Sequence, residues 1–232
     1  MAIGAATGEA NVQSAAIVLP ARDAEVGGDF QLVRVVGTKT AALVADVAGN
    51  GTDAAPYADR LRAELEEAVD LTDPVTVLEQ LNTHVYRDPD FDRPVTACAV
   101  VIDRVPWSAH WAFAGHLPPH WLDTGLPLDG ATPGLPLGTE ESCGAVGADK
   151  RPLRPGEGML LFTDGLEDVK GPGGDRFGSA RITHTLARRL NGSSPHEVVA
   201  TLKEVACEFG SDELADDLCL LALRVAQSSS GA

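Results

Sequence analysis

Twice in this chain an apolar run ends in an aspartate that is followed at once by a glycine turn. Ala42-Leu43-Val44-Ala45 leads into Asp46-Val47-Ala48-Gly49-Asn50-Gly51, and Gly158-Met159-Leu160-Leu161-Phe162-Thr163 leads into Asp164-Gly165. A strand apolar enough to be buried excludes an unpaired charge from its middle, so each carboxylate belongs at a sheet rim. The first stretch alone reads equally well as an ordinary turn with Asp46 as a local cap, and Asp164-Gly165 alone is most often only a turn. Their repetition is the constraint, because it asks for a fold in which two strands deliver carboxylates to turns. Two more strand boundaries do the same: Gly27-Gly28-Asp29-Phe30 precedes one strand, and Asp216-Asp217 opens another. If these four rims meet, like charges about 4 Å apart repel by about 4 kcal/mol at an effective dielectric of about 20. Such a cluster demands cations.

Runs rich in Val, Leu and aromatic residues predict strands at Ala15–Leu19, Gln31–Val36, Ala41–Asp46, Thr96–Asp103, Ala109–Ala114, Gly158–Thr163 and Leu218–Val225. The links from Val36 to Ala41 and from Asp103 to Ala109 are short and carry Gly37 and Pro106, which points to hairpins. Helical spacing of apolar positions predicts helices at Asp53–Val69, Pro74–Val85, Ser179–Leu190 and Pro195–Glu208. Consecutive hairpins exclude a purely parallel sheet, and helices inserted in pairs need sheets to cover. The expected fold class is α+β, a layered sandwich.

A chain of 232 residues, 44% hydrophobic and 22% charged, can bury a core without disulfides. One domain is expected over 15–226, with flexible ends at 1–14 and 227–232, where small and polar residues show no periodicity. The formal net charge of −16 disfavours nucleic acid and anionic lipid as partners. No run reaches the roughly 18 apolar residues that a membrane span needs. Cys98, Cys143, Cys207 and Cys219 show no C-x-x-C spacing, which points to a reducing, cytoplasmic compartment.

Oxygen donors without His or Cys groupings select hard ions, Mg2+ or Mn2+, over zinc. Two such ions bridged by one carboxylate would activate water and neutralise phosphoryl charge in an in-line displacement, with no protein nucleophile required. Phosphate-ester hydrolysis is the expected chemistry.

Taken in order, the motifs are Gly-Gly-Asp29, Asp46-Val-Ala-Gly-Asn-Gly, Ala-Gly115-His116-Leu-Pro118-Pro119, Thr-Asp164-Gly-Leu and Asp216-Asp217. Gly134-Leu-Pro-Leu-Gly138 and Leu153-Arg-Pro-Gly-Glu-Gly158 lie between them. From about Pro20 to Arg224 the series resembles the SpoIIE-like bacterial branch of the PPM, or type 2C, protein phosphatases. The resemblance implies an α-β-β-α sandwich of two mostly antiparallel sheets flanked by helix pairs. It also implies a metal-dependent serine/threonine phosphatase holding two divalent cations, Mn2+ or Mg2+, at one end of the sheets. Carried over by position, Asp46 would bridge both ions, Asp164 and Asp216 would complete one site, and Asp29 with the Val47 carbonyl would serve the other. Asp46, Asp164 and Asp216 would be the catalytic set.

Two positions depart from the family pattern. Asp217 stands where many relatives carry Asn, and Asn50 replaces the His or Lys commoner in that glycine turn. The resemblance further implies a phosphoprotein substrate such as a phosphorylated anti-sigma-factor antagonist. Relatives often carry a sensor domain or helical linker ahead of the catalytic domain. Here the first strand is expected near residue 15, so either a separate partner regulates the chain or it is an isolated catalytic domain.

His116 has two readings. Its ordinary pKa lies near neutrality, which suits a general acid for the leaving seryl oxygen; alternatively, the imidazole satisfies backbone groups in a rigid Gly-His-Leu-Pro-Pro turn. The competing functional readings are a catalytically weak partner-binding domain of the same fold and a two-metal phosphoesterase acting on small molecules.

Overall fold

The computed structural model describes residues 12–22, 24–49, 51–67, 70–210 and 214–226. In chain order the elements are β1 (Val12–Leu19), β2 (Asp29–Val36), β3 (Lys39–Val47), α1 (Gly51–Glu67), α2 (Pro74–Arg87), β4 (Val95–Arg104), β5 (Trp107–Ala114), β6 (His120–Trp121), β7 (Arg151–Pro152), β8 (Gly158–Phe162), α3 (Gly178–Arg189), α4 (Pro195–Phe209) and β9 (Leu218–Val225). They form two sheets, ordered β1-β9-β8-β6 and β2-β3-β4-β5-β7, and every strand pair is antiparallel. Both expected hairpins are present, with Val36 opposite Lys39 and Arg104 opposite Trp107.

Three apolar layers hold the sandwich together. Alternate residues of β3, β4, β8 and β9, among them Val44, Val100, Leu161 and Leu221, meet between the sheets. The other face of β3 and β4 lies under α1 and α2 through Leu61, Leu65, Leu78 and Leu81. The outer face of β8 and β9 lies under α3 and α4 through Ile182, Leu186, Val198 and Leu202. This is the α-β-β-α arrangement, and it explains why Leu218–Val225 is buried at every position: both of its faces are covered. Helix starts follow their local chemistry. Asp73 caps α2 by accepting from the Thr76 N–H at 3.0 Å, and Ser194 with Glu197 closes a capping box on α4.

The differences from the sequence expectation lie at element ends and in two short strands. β1 begins at Val12, inside the segment expected to be flexible, because Val12–Ser14 pair with Leu223–Val225. The rest of the expected flexible ends, residues 1–11 and 227–232, fall outside the described residues, as do Asn50 and the last two residues of the Asp53–Val69 helix. The two-residue strands β6 and β7 are too short to show alternation in sequence.

Candidate metal centre at one end of the sandwich

Strand alternation builds the site. β2 leaves one end of the sandwich at Asp29, β3 arrives there at Asp46 and Val47, β8 arrives at Phe162, and β9 leaves at Leu218. Along each of these strands every second residue faces the opposite sheet: Ala42 and Val44 on β3, Met159 and Leu161 on β8, Cys219 and Leu221 on β9. One more step of two along each strand reaches Asp46, Thr163 and Asp217. On β2, Asp29 lies directly opposite Asp46 in the register. The inner face that is apolar through the middle of the molecule therefore ends in polar groups contributed by both sheets.

Hydrogen bonds tie those groups together across the sheets. The Thr163 hydroxyl donates to Asp29 Oδ2 at 2.6 Å and accepts from the Cys219 N–H at 2.9 Å. Asp217 accepts from the Ala21 N–H at 2.8 Å through Oδ1 and from the Gly28 N–H at 2.7 Å through Oδ2. Asp216 accepts from the Asp217 N–H at 2.9 Å. The close approach fixes two glycines: a Cβ on Gly27 would run into the Asp217 carboxylate, and one on Gly165 into the Asp217 carbonyl.

The adjacent aspartates thus divide their work. Asp217 is buried and committed to backbone amides of the β1–β2 connection, whereas Asp216 is exposed beside Asp164. Asp46 is partly buried and has its pKa pushed up to about 7, first by burial and then by the charges of Asp164, Asp216 and Asp217. Asp29 lies well above the usual carboxylate range, chiefly through burial and the Asp46 charge, with the Thr163 bond opposing. Although both reach solvent, Asp164 is raised by partial desolvation and by Asp168, and Asp216 by partial desolvation and by Asp164, with the Asp217 N–H pulling it back. Carboxylates that raise one another's proton affinity form a field that calls for countercharge.

All four expected carboxylates and the Val47 carbonyl therefore lie at one end of the sandwich. Among the described residues, however, no group of three or more His, Cys, Asp or Glu side chains closes tightly enough to hold an ion by itself. Electrostatic coupling without direct convergence suits an ion that keeps several of its waters, which is how Mg2+ is ordinarily bound. The all-oxygen donor set and its unneutralised charge fit hydrated Mg2+ or Mn2+.

His116 lies in the turn after β5 and is buried, with Nδ1 donating to the Leu117 carbonyl at 3.0 Å. Burial pushes its pKa down to about 4, so at neutral pH the ring is uncharged and carries its proton on Nδ1. The backbone-satisfying reading matches this geometry, and the general-acid reading does not. Sequence reading missed two side chains. Thr163 could have been found by extending the alternation of β8 one step. Arg93, just before β4, donates from Nη1 to the Ala48 carbonyl at 3.2 Å, and its guanidinium lies 5.3 Å from the centre of the Tyr57 ring on α1. Nothing in the Asp92-Arg93-Pro94 stretch marks that role.

The layer order and the site's position define a type 2C phosphatase fold. Solved structures of this fold are similar to the chain. The SiaA PP2C domain of Pseudomonas aeruginosa matches at TM-score 0.76 and 23% identity, over 90% of this chain and 85% of that one. RsbX in complex with magnesium matches at TM-score 0.68 and 18% identity, over 97% and 100%. The RsbU and RsbW domains of Rv1364c from Mycobacterium tuberculosis match at TM-score 0.73 and 23% identity, over 93% of this chain and 60% of that one, so the chain spans about three fifths of that protein's solved length. At the level of sequence, the stage II sporulation protein E (SpoIIE) profile matches residues 37–226, and the chain belongs to that family. Asp46, Asp164 and Asp216 lie within the matched segment, and Asp29 lies before it. Among the described residues no helix is long and apolar enough to cross a membrane.

Proposed function

We propose that the chain is a metal-dependent serine/threonine phosphoprotein phosphatase whose catalytic domain, expected over 15–226, takes in all of β1 and so spans residues 12–226. The observation that carries this reading is the delivery of Asp29, Asp46, Asp164 and Asp216 to one end of the sandwich by strands of both sheets. Asp46 would be shared by two cations, Asp164 and Asp216 would hold one, and Asp29 with the Val47 carbonyl the other. When bound, Mn2+ or Mg2+ supplies charge neutralisation at the phosphoryl oxygens and acidifies water. The chain's own residues keep the carboxylates in place: Asp217 fixes the Gly28 amide beside Asp29, and Arg93 holds the turn after Asp46. His116 leaves the proton inventory, since its neutral ring carries its proton on the nitrogen facing Leu117.

The structural similarity to a chain with RsbU and RsbW domains supports a substrate in sigma-factor control, such as a phosphorylated anti-sigma-factor antagonist, and a separate regulatory partner. A second reading, a partner-binding domain with weak catalysis, draws on the lack of a tight three-carboxylate group among the described residues. Hydrolysis of p-nitrophenyl phosphate and a phosphoserine peptide, with manganese, magnesium or a chelator, separates the two. Metal-dependent release from both substrates is the expected result. A folded sample silent with every metal would favour the partner-binding domain.

A further inference from the structure

The Thr163 hydroxyl occupies an unusual position for a residue in a strand-ending turn. It is buried, one step beyond β8, yet its side chain crosses to the other sheet and meets Asp29 at the start of β2. Its donor and acceptor roles are both fixed. The Cys219 N–H points at the oxygen, so the hydroxyl proton is left to go to Asp29 Oδ2. The backbone of the same residue is also held, with the Thr163 N–H donating to the Cys219 carbonyl at 3.1 Å. One side chain thereby links β8, β9 and β2 at the rim where the carboxylates gather. From the opposite direction, Asp217 holds the Gly28 amide, one residue from Asp29. Asp29 is buried and has the Asp46 charge as its neighbour, so without such bonds its side chain would turn away from the other carboxylates.

We propose that Thr163 is a positioning residue for the metal centre: its hydroxyl, oriented by the Cys219 amide, fixes the Asp29 carboxylate through Oδ2 and commits Oδ1 to a divalent cation. This rests on the metal-dependent reading above and assigns to Thr163 a role that acts through Asp29 alone. Outer residues that orient a ligand commonly contribute 10- to 100-fold in metal affinity, which sets the expected size. Thr163→Val keeps the shape and removes the hydroxyl, whereas Thr163→Ser keeps the hydroxyl and removes a methyl.

The test is calorimetric titration of Mn2+ into wild type, Thr163→Val, Thr163→Ser and Asp29→Asn, with chelator-treated melting curves to show that each is folded. The expected result is a dissociation constant raised about 10-fold or more in Thr163→Val and restored to within about 3-fold of wild type in Thr163→Ser. In the double variant Thr163→Val/Asp29→Asn the two losses should not add, because one acts through the other. Additive losses, or a Thr163→Val that binds Mn2+ as wild type does, would overturn the proposal while leaving the phosphatase reading intact. If Thr163→Val does not fold, the Thr163→Ser titration decides: a loss comparable to that of Asp29→Asn would overturn it, and near-normal binding would support it. Failure of wild type itself to bind Mn2+ would remove the underlying reading, and this inference with it.

Discussion

The layer between the two sheets has a middle and an end, built on the same strands and the same alternating positions, with opposite chemistry. In the middle, Val44, Val100, Leu161 and Leu221 are buried with exposures of at most 0%. Two residues further along β3 the position of Val44 is taken by Asp46, and two residues beyond Leu161 stands Thr163. On β3 the pleat carries straight from Val44 to Asp46, whereas β8 stops at Phe162 and β9 starts at Leu218, so Thr163 and Asp217 continue the alternation just outside the strands. What changes is the sign of the local free energy: apolar burial stabilises the middle, while gathered carboxylates repel one another at the end. A sandwich of this kind is strongest where it is silent and weakest where it can bind a cation.

The comparison is tested hardest at Asp46. Asp46→Asn should lower phosphatase turnover by about 1000-fold, equivalent to about 4 kcal/mol of transition-state stabilisation, while far-UV circular dichroism stays unchanged. Near-normal rates would show that the end of the layer is not the reactive centre. Leu221→Ala, on the same face five residues from Asp216, should do the reverse. It removes buried methyl groups and should destabilise the fold by about 3 kcal/mol in urea titration, with turnover per folded molecule unchanged.

A third expectation concerns pH in the presence of chelator. The Asp46 carboxyl has its folded pKa raised from the ordinary 3.8 to about 7, so between those values the folded protein binds protons that the unfolded chain has released. Its contribution to stability is full below about pH 3.8 and is lost as pH rises through about 7. Metal-free wild type should therefore be less stable than metal-free Asp46→Asn at pH 7.5, by on the order of 2 kcal/mol. The gap should close at pH 4. A gap that is independent of pH would mean that neither burial nor the neighbouring charges raise the Asp46 pKa.

How much of this was legible in the sequence follows from the same contrast. The strand cores and the four helices could be read because apolar periodicity is a local signal, and β9 was placed residue for residue as Leu218–Val225. Asp46, Asp164 and Asp216 could be read because a charge at the end of an apolar run stands out. The bracing role of Asp217 could not be read, since it depends on amides of Ala21 and Gly28 nearly 200 positions away. Thr163 was hidden for a related reason. A threonine at the end of a strand has ordinary β propensity, and only the packing of the two sheets reveals that it touches Asp29.

Arg93 gives the smallest effect and the finest distinction between the two regions. Its guanidinium joins the turn after Asp46 to the Tyr57 ring on α1, so it braces the charged end against a helix that otherwise serves the apolar layer. Arg93→Gln removes a cation–π contact and a charge-assisted bond to the Ala48 carbonyl, together about 1 kcal/mol at a partly exposed site. If the brace matters mainly to the turn, the loss should appear as a weaker response of the melting temperature to added Mn2+, with the chelated protein melting almost as wild type. If instead the chelated protein loses the full amount and the Mn2+ response is preserved, Arg93 belongs energetically to the apolar layer, and the boundary between the two regions lies closer to Asp46 than the hydrogen bond to Ala48 indicates.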